Sequence, residues 1–370
     1  IGAGFFPHFM LADEVARIAE LEGQFGFVKN SAADMATVPK GLAQITKAHS
    51  EVNATPWAFI SLAICMMAGT ASLPHVMMRY FTTPSVRTAR RSVGWSLFFI
   101  FLLYSSAPML ATLSKISLMD PNLATGIIGK SITEVQALDW YQNWNQAKLM
   151  FVSDFNGNGT LELNEFFMKG SAVVLATPEI AGLPYVISGL VAAGGMAAAM
   201  STADGLVLAI SNALSHDVYY KIINPKAETA KRLIVARVLL VLIGFAGATI
   251  AALEIQGILG SVIWAFDFAM SGLFFPLVLG VWWKRANAPG AVAGMLLGLI
   301  SGTAYLIWVR SGGSGFLGIT QLTFGIVGAA VSLVSMIVVS LITAAPDAAT
   351  QKMVDDVRVP SGKTILGKQH

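Results

Sequence analysis

Long apolar segments are the feature that most constrains how this 370-residue chain can fold. A helix of roughly 20 apolar residues can cross a bilayer, and seven segments have about that length or more. A soluble domain carries about 25% charged residues, whereas only 12% of this chain is charged. We therefore predict an all-α polytopic membrane protein with about seven transmembrane helices. The predicted spans are Trp57–Phe81, Ser92–Leu113, Leu183–Leu214, Leu233–Leu253, Gly260–Trp283, Gly290–Val309 and, approximately, Gly318–Ile342.

The loops between these segments alternate in charge, and short basic loops lie on the cytoplasmic side of a membrane. The alternation predicts a multi-pass protein of the cytoplasmic (inner) membrane, with residues 57–342 as its transmembrane core. Loop 114–182 would lie outside. The tail 343–370 would lie in the cytoplasm and, lacking strong periodicity, is predicted to be mobile. The residues of the three basic loops are Arg87, Arg90 and Arg91, then Lys221, Lys226, Lys231 and Arg232, then Lys284 and Arg285.

Composition excludes several kinds of function. The net charge is only +3, and no segment has the basic density of a nucleic-acid binder. The single cysteine, Cys65, rules out an internal disulfide and a cysteine-based metal cluster. No nucleophile and base are suitably placed, so we do not predict an enzyme. Residues 1–56 are interpreted as an external loop and the end of a preceding helix, which makes the chain the C-terminal portion of a longer protein.

The segment Gly182–Tyr220 carries polar residues at its centre, where Ser201, Thr202 and Asp204 follow a run of Gly and Ala. An acid within a spanning helix is costly unless it faces a cavity, a partner or an ion. Ala198 shares one helix face with the two hydroxyl residues, which follow it by three and four positions. Two hydroxyls and a freed carbonyl are hard oxygen ligands, so this helix is predicted to hold a coupling ion. Alternatively, the hydroxyls only bond the carbonyl one turn earlier, and the acid pairs with a neighbouring helix.

The outer loop contains a match to the calcium-binding loop of an EF-hand. The sequence DFNGNGTLELNE, residues 154–165, agrees with D-x-[DN]-x-[DN]-G-x5-E at every diagnostic position. Oxygen side chains at alternate positions can reach one centre, and Gly159 permits the sharp turn between them. The predicted Ca²⁺ ligands are Asp154, Asn156, Asn158, the Thr160 carbonyl, Glu162 (directly or through water) and Glu165.

This loop would lie within an external insertion, residues 115–182. We predict an entering helix over Glu134–Phe151 and an exiting helix over Leu163–Gly170. EF-hands usually occur in pairs, and the sequence shows no second loop. With three charged ligands the affinity would be weak, as in extracellular modules with Kd of about 10⁻⁴ to 10⁻³ M. The alternative is an Asn- and Gly-rich turn that never binds calcium.

Two sequence blocks closely resemble the sodium:solute symporter family. They are GTASLPHVMMRYFTTPSVRTARRS, Gly69–Ser92, and MSTADGLVLAISNALSHDVY, Met200–Tyr219. Within that family, the acetate and short-chain monocarboxylate permease-like branch is the most similar. The resemblance implies a five-plus-five inverted-repeat symporter fold, of which this chain holds the second part. The EF-hand-like insertion is not general to the family and marks a subgroup.

The resemblance also implies the residues of a transport site. The helix with Ala198, Ser201 and Thr202 is similar to the one that supplies sodium ligands in the family. Asp204 lies where some relatives assist a second sodium ion, and an acid there could serve a second cation or a proton. The remaining sodium ligands would come from the N-terminal repeat of the same protein, which is absent from this sequence. The implied substrate-binding residues lie at a helix break before and after Pro74 and are Gly69, Thr70, Ala71 and His75.

Together these features predict a secondary active transporter that couples sodium entry to uptake of acetate or another short monocarboxylate. The alternative solute is another small molecule such as proline. From a different class, the alternative is a calcium-responsive membrane sensor or scaffold with a transporter fold. The predicted partners are the small solute, the lipid bilayer and a small membrane subunit. Outside these sites, Arg79 is expected to reach the cytoplasmic surface, and Asp267 is interpreted as an outer-gate residue or the partner of a cation.

Overall fold

The computed structural model describes residues 56–163, 165–253 and 257–358, and most of them are helical. Within this part of the chain, six helical spans are long and apolar enough to cross a membrane. The prediction of an all-α polytopic membrane protein is therefore confirmed. The helices are α1 (Pro56–Ser72), α2 (Pro74–Met78), α3 (Val86–Met119), α4 (Ile132–Gln136), α5 (Asp139–Gln146), α6 (Val173–Ile180), α7 (Tyr185–Asn212, continued by a π-helix Ala213–Ile223), α8 (Thr229–Ala252), α9 (Ile258–Ala269, followed by a π-helical turn Met270–Phe274), α10 (Phe275–Trp282), α11 (Ala288–Arg310), α12 (Gly325–Ile342) and α13 (Ala348–Arg358).

The first predicted span is not one continuous helix. Helix α1 has 17 residues, fewer than the other spans, and ends at Ser72. Leu73 is extended, with φ −71° and ψ 118°, because a residue before proline is pushed out of the helical region. Helix α2 and a 3₁₀ turn, Arg79–Thr82, follow the break. Of the predicted external loop 1–56, residues 1–55 lie outside the described residues.

Contacts divide the chain into two compact units, and one of them takes in Gly94–Met200. This unit has its own hydrophobic core in the segment between α3 and α7. Two strands, β1 (Met150–Val152) and β2 (Phe166–Met168), pair antiparallel within it. The rings of Phe151 and Phe167 stack across the pair with centroids 4.7 Å apart. The buried core residues are Leu118, Met119, Ile127, Ile128, Val135, Tyr141, Met150, Leu161, Leu163, Phe166, Ala176 and Ile180.

A buried tyrosine ties helix α5 to strand β1 in this core. The Tyr141 hydroxyl accepts hydrogen bonds from the Val152 backbone N–H at 3.1 Å and from Asn145 Nδ2 at 3.2 Å. Burial raises the pKa of Tyr141, and the bond from the Val152 amide acts in the opposite direction. The hydroxyl therefore stays neutral near neutral pH and serves as an acceptor.

The other unit takes in the described residues of Glu51–Val93 and Ser201–His370. Its most closely packed pair of helices is α11 and α12, which approach through small residues. A Cβ atom added at Gly298 would lie 2.8 Å from the Ser332 Cβ, closer than real Cβ atoms come. Such small-residue interfaces let the backbones of membrane helices pack directly against each other. The buried glycines on this face of α11 are Gly290, Gly294, Gly298 and Gly302.

The polar tail is more ordered than its sequence predicts. Residues Ala348–Arg358 form helix α13, so the prediction of a mobile tail is wrong for this part. Lys284 Nζ lies 2.7 Å from an Asp355 carboxylate oxygen and joins α13 to the end of α10. The nearby Lys284 ammonium lowers the pKa of Asp355 below its usual value. Residues 359–370 lie outside the described part of the chain.

Candidate functional site

The predicted coupling-ion residues lie on the uninterrupted helix α7. Ala198, Ser201, Thr202 and Asp204 are all exposed, and the apolar stretch of α7 is not buried by any described residue. The helical spacing leaves Ala198 and the two hydroxyl residues on one face. Asp204 follows Ser201 by three positions and therefore lies one turn further along the helix.

The hydroxyl of Ser201 is available for a ligand. Serine and threonine in a membrane helix usually bond the carbonyl of the preceding turn. Thr249 on α8 does so, donating to the Phe245 carbonyl at 2.8 Å. Ser201 makes no hydrogen bond to any residue that the structure describes, and Asp204 makes no ion pair with one. Hydrogen bonds or ion pairs within the described structure therefore do not account for the polar residues Ser201 and Asp204 on this apolar helix.

At the predicted substrate-binding break, the structure gives the four residues different roles. The Thr70 hydroxyl donates to the Met66 carbonyl at 2.6 Å and so is engaged within α1. A Cβ atom added at Gly69 would lie 2.5 Å from the Phe266 carbonyl oxygen, so Gly69 allows close packing of α1 on α9. Ala71 is exposed. The Nδ1 atom of His75 is buried and has no hydrogen-bond partner among the described residues.

Arg79 is a candidate residue that the sequence reasoning missed. It was expected to reach the cytoplasmic surface; the residue is exposed, and its guanidinium also approaches α7. The Nη2 atom is 3.4 Å from the position that a Cβ on Gly205 would occupy, next to Asp204 in the sequence. The four-residue spacing from His75 was the available signal, since it aligns the two side chains along one helix face. A cation next to the predicted ion helix is suited to an anionic solute.

The EF-hand-like loop is organised around two acidic side chains. The Asp154 carboxylate accepts hydrogen bonds from the backbone N–H groups of Gly157 at 2.7 Å and Gly159 at 3.0 Å. The Glu165 carboxylate, which is 1% exposed, accepts them from Phe155 and Glu162, both at 3.0 Å. Both ends of the loop are thereby drawn toward its centre.

The side chains between these acids also converge. Asn156 and Asn158 each donate through Nδ2 to Oε1 of Glu162 at 3.1 Å. The Asn158 Oδ1 atom accepts from the Thr160 backbone N–H at 2.7 Å. Carboxylate and amide oxygens are the ligand types that Ca²⁺ takes. No cluster of three or more His, Cys, Asp or Glu side chains with metal-site spacing occurs among the described residues.

The elements flanking this loop differ from those of an EF-hand. The predictions of an entering helix over Glu134–Phe151 and an exiting helix over Leu163–Gly170 are wrong: α4 and α5 precede the loop, and strands β1 and β2 flank it directly. Aromatic residues face each other across the two strands, and this cross-strand pairing stabilises a hairpin rather than helices.

Residues 129–131, which lie earlier in the same unit, pair with the EF-hand-like loop through their backbone. The Leu161 backbone N–H donates to the Lys130 carbonyl at 2.9 Å, and Gly129 N–H donates to the Leu161 carbonyl at 2.9 Å. Thr160 forms an antiparallel bridge with Ser131. The apolar position of the loop is thus held by backbone pairing with an earlier segment of the same unit.

Comparison with known proteins shows which family the segment containing α7 matches. The sequence model of the sodium:solute symporter family matches residues 169–298, which include all of α7, α8 and α9. The chain belongs to the sodium:solute symporter family. The matched region contains the predicted sodium residues and begins after the EF-hand-like loop. That loop therefore lies outside the part of the chain that matches the family.

The curated proteins that match the chain include the following two. An uncharacterized symporter of Cupriavidus necator is 41% identical over 295 residues, covering 77% of this chain and 42% of the relative. The monocarboxylic acid transporter of Corynebacterium glutamicum is 28% identical over 245 residues, covering 66% of this chain and 37% of the relative. The chain therefore spans less than half the length of the curated relatives that it matches.

Proposed function

We propose that this chain is the second part of a sodium-coupled symporter for acetate or another short monocarboxylate. The observation that carries the proposal is the family match over α7, because it contains Ser201 and Thr202 at the centre of an exposed helix. The name of the Corynebacterium relative favours a monocarboxylate over the alternative solute, proline. Solute symport also agrees with a multi-pass architecture.

The proposed ion site uses oxygens from α7 and from the rest of the protein. The Ala198 carbonyl and the hydroxyls of Ser201 and Thr202 would replace part of the water shell of Na⁺. The remaining ligands would come from the first repeat of the inverted-repeat fold, covering the face of α7 that is exposed here. Sodium then drives the transport cycle because it binds one conformation more tightly than the other. Asp204, one turn away, would serve a second cation or a proton.

The proposed solute site lies after the break in the α1–α2 region. A carboxylate needs charge-assisted donors, and Arg79 with the unpaired nitrogen of His75 supplies them. Gly69, Thr70 and Ala71 would shape the adjoining backbone rather than donate from their side chains. A bidentate guanidinium fixes the orientation of a carboxylate as well as its charge.

The charge pattern of the loops supports an orientation in the cytoplasmic membrane. Segment 114–182 would face outward and α13 inward, since the basic residues cluster at the start of α3, around the start of α8 and before α11. The N-terminal repeat of the same protein and the surrounding lipid are the partners that this arrangement requires. A small membrane subunit remains a further candidate partner.

Uptake measurements on the full-length protein test the proposed function directly. In proteoliposomes with an inward sodium gradient, labelled acetate should accumulate, and uptake should cease when potassium replaces sodium. Labelled proline serves as the matched substrate control and should not accumulate. Sodium-dependent proline uptake would reassign the solute, whereas acetate uptake indifferent to sodium would overturn the coupling.

A second candidate function is calcium binding by the outer unit, with a sensing, scaffolding or bracing role. The observation that favours it is the convergence of Asp154, Asn156, Asn158, Glu162 and Glu165 on one loop. Backbone N–H groups now occupy part of the acceptor capacity of the two terminal acids. Calcium binding would require the amides of Asn156 and Asn158 to turn their oxygens toward Glu162, in place of the nitrogens that face it here.

Calcium binding to the EF-hand-like loop should stabilise the unit that contains it. We expect Ca²⁺ to bind with a Kd of about 10⁻⁴ to 10⁻³ M. At ten times the Kd it should stabilise the outer unit by about 1.4 kcal/mol. Calorimetric titration and thermal unfolding of the full-length protein, with and without chelator, measure both quantities.

The variant Glu165→Gln should lose the response to calcium, because it removes a charge from the site. Glu134→Gln, at an exposed acid on α4 in the same unit, is the matched control and should keep the response. Equal calcium responses in the two variants, or none in the wild type, would show that the loop is an Asn- and Gly-rich turn.

A further inference from the structure

Asp267, near the end of α9, is a buried acid with no function in the proposed transport site. Its side chain is 0% exposed. Neither carboxylate oxygen has a hydrogen-bond partner among the described residues. The π-helical turn begins three residues later, and there the Ser271 hydroxyl donates to the Asp267 backbone carbonyl at 2.7 Å. An acid buried without a partner in a spanning helix indicates a bound species.

The helices packed around α9 present no cation to this carboxyl group. From α1 the only titratable side chain is Cys65, whose thiol lies near Asp267 but donates to the Thr323 carbonyl at 3.8 Å. Helices α10 and α12 and the π-helical turn contain no titratable residue. On α11, the Tyr305 hydroxyl donates to the Ile319 carbonyl at 3.0 Å. Arg310, also on α11, lies over the Trp264 ring at 5.0 Å from its centroid.

The backbone closes tightly around Asp267. A Cβ atom added at Gly325 would lie 2.9 Å from the Asp267 Oδ1 atom, so only glycine fits there. Gly69 also lets α1 pack directly on the carbonyl of Phe266, the residue before Asp267. The groups nearest the carboxyl are the Cys65 thiol and the backbone amides of Phe324 and Gly325, and none of them completes a hydrogen bond to it. These are hydrogen donors, whereas a sodium ion requires several oxygen ligands in addition to one carboxylate.

We propose that Asp267 is a proton-binding site, protonated when α1 is packed against α9 and ionised when the two helices separate. A buried carboxylate without a cation partner becomes neutral by taking up a proton. The proton comes from water and adds to one carboxylate oxygen, which removes one negative charge. When α1 withdraws Cys65, water reaches the carboxyl and the proton returns to it. The two amides then stabilise the anion.

This site links proton uptake to helix packing. A ligand shifts a conformational equilibrium only by its different affinity for the two states, and here the ligand is the proton. Low pH favours the packed state of α1 and α9, and high pH favours their separation. The inference is independent of the coupling ion on α7, and only its uptake readout depends on the proposed transport function.

Vibrational spectroscopy of the purified full-length protein tests the inference without requiring transport. The infrared difference spectrum between mildly acidic and mildly alkaline buffer should contain the C=O stretch of a protonated carboxylic acid. The band should disappear in Asp267→Asn, which has the shape of the protonated acid and should fold normally. Asp217→Asn, at an exposed acid bonded to Lys221 and His216, is the matched control and should retain it.

Three outcomes of the infrared measurement would overturn the inference. A band that persists unchanged in Asp267→Asn belongs to another acid. A wild-type spectrum without the band means that Asp267 does not take up a proton over this pH range. A band that disappears on adding sodium at constant pH would make the occupant a sodium ion. In proteoliposomes, acetate uptake by Asp267→Asn should lose the pH dependence of the wild type, while Asp217→Asn should keep it. Absence of acetate uptake in all three proteins would contradict the proposed function but not the proton site.

Discussion

Full-length protein carrying both Ser201→Ala and Thr202→Ala should need about 100-fold more sodium for half-maximal uptake. A polar contact with a charged group contributes about 1.5–3 kcal/mol, and the double variant removes two such contacts. Each 1.4 kcal/mol corresponds to a factor of ten in affinity, so two contacts at the lower end of that range, about 3 kcal/mol together, shift the half-saturating sodium concentration by on the order of 100-fold. Initial rates of acetate uptake measured over a range of sodium concentrations give the half-saturating value for each protein.

The matched control for this experiment is Thr249→Ala. Thr249 is also a membrane-helix hydroxyl, and it lies outside the proposed ion site, where it bonds the Phe245 carbonyl. Its sodium dependence should equal that of the wild type. If the double variant and the control shared the wild-type half-saturating concentration, α7 would not hold the coupling ion. A general loss of uptake with unchanged sodium affinity would assign the two hydroxyls a structural role.

The membrane-spanning architecture could be predicted because hydropathy and loop charge are local properties of the sequence. The break in the first span was also predictable, since Pro74 forces the preceding Leu73 out of the helical region. The strands beside the EF-hand-like loop could not be predicted in this way. Phe166–Met168 becomes a strand only because Met150–Val152 lies opposite, and such pairing depends on contacts distant in sequence.

The roles of individual site residues were less predictable for a similar reason. Gly69 matched a family motif, but its close approach to Phe266 is visible only once α1 and α9 are packed together. The same applies to Asp267, whose carboxyl could have faced a gate or a cation until its neighbours were known. Arg79 was assigned to the surface because arginines at helix ends often extend to the interface. Its position beside Gly205 depends on how α7 packs, which spacing alone does not determine.

Replacing Arg79 by Gln should raise the KM for acetate by about 10- to 100-fold and leave the sodium dependence unchanged. The guanidinium follows the break after α1 and approaches the proposed ion helix, where Nη2 lies 3.4 Å from the Cβ position of Gly205. Losing a charge-assisted contact with the solute costs about 1.5–3 kcal/mol, which corresponds to the predicted change in KM. Initial uptake rates over a range of acetate concentrations, at saturating sodium, measure it.

Two further substitutions separate charge from geometry. Arg79→Lys keeps the charge but loses the planar pair of donors, so its KM should fall between those of the wild type and Arg79→Gln. Arg87→Gln removes an exposed arginine at the start of α3 and should leave the KM unchanged, because that residue lies outside the proposed solute site. An unaltered KM in Arg79→Gln would mean that the carboxylate is recognised elsewhere, and the remaining candidate at the break would be the buried Nδ1 of His75.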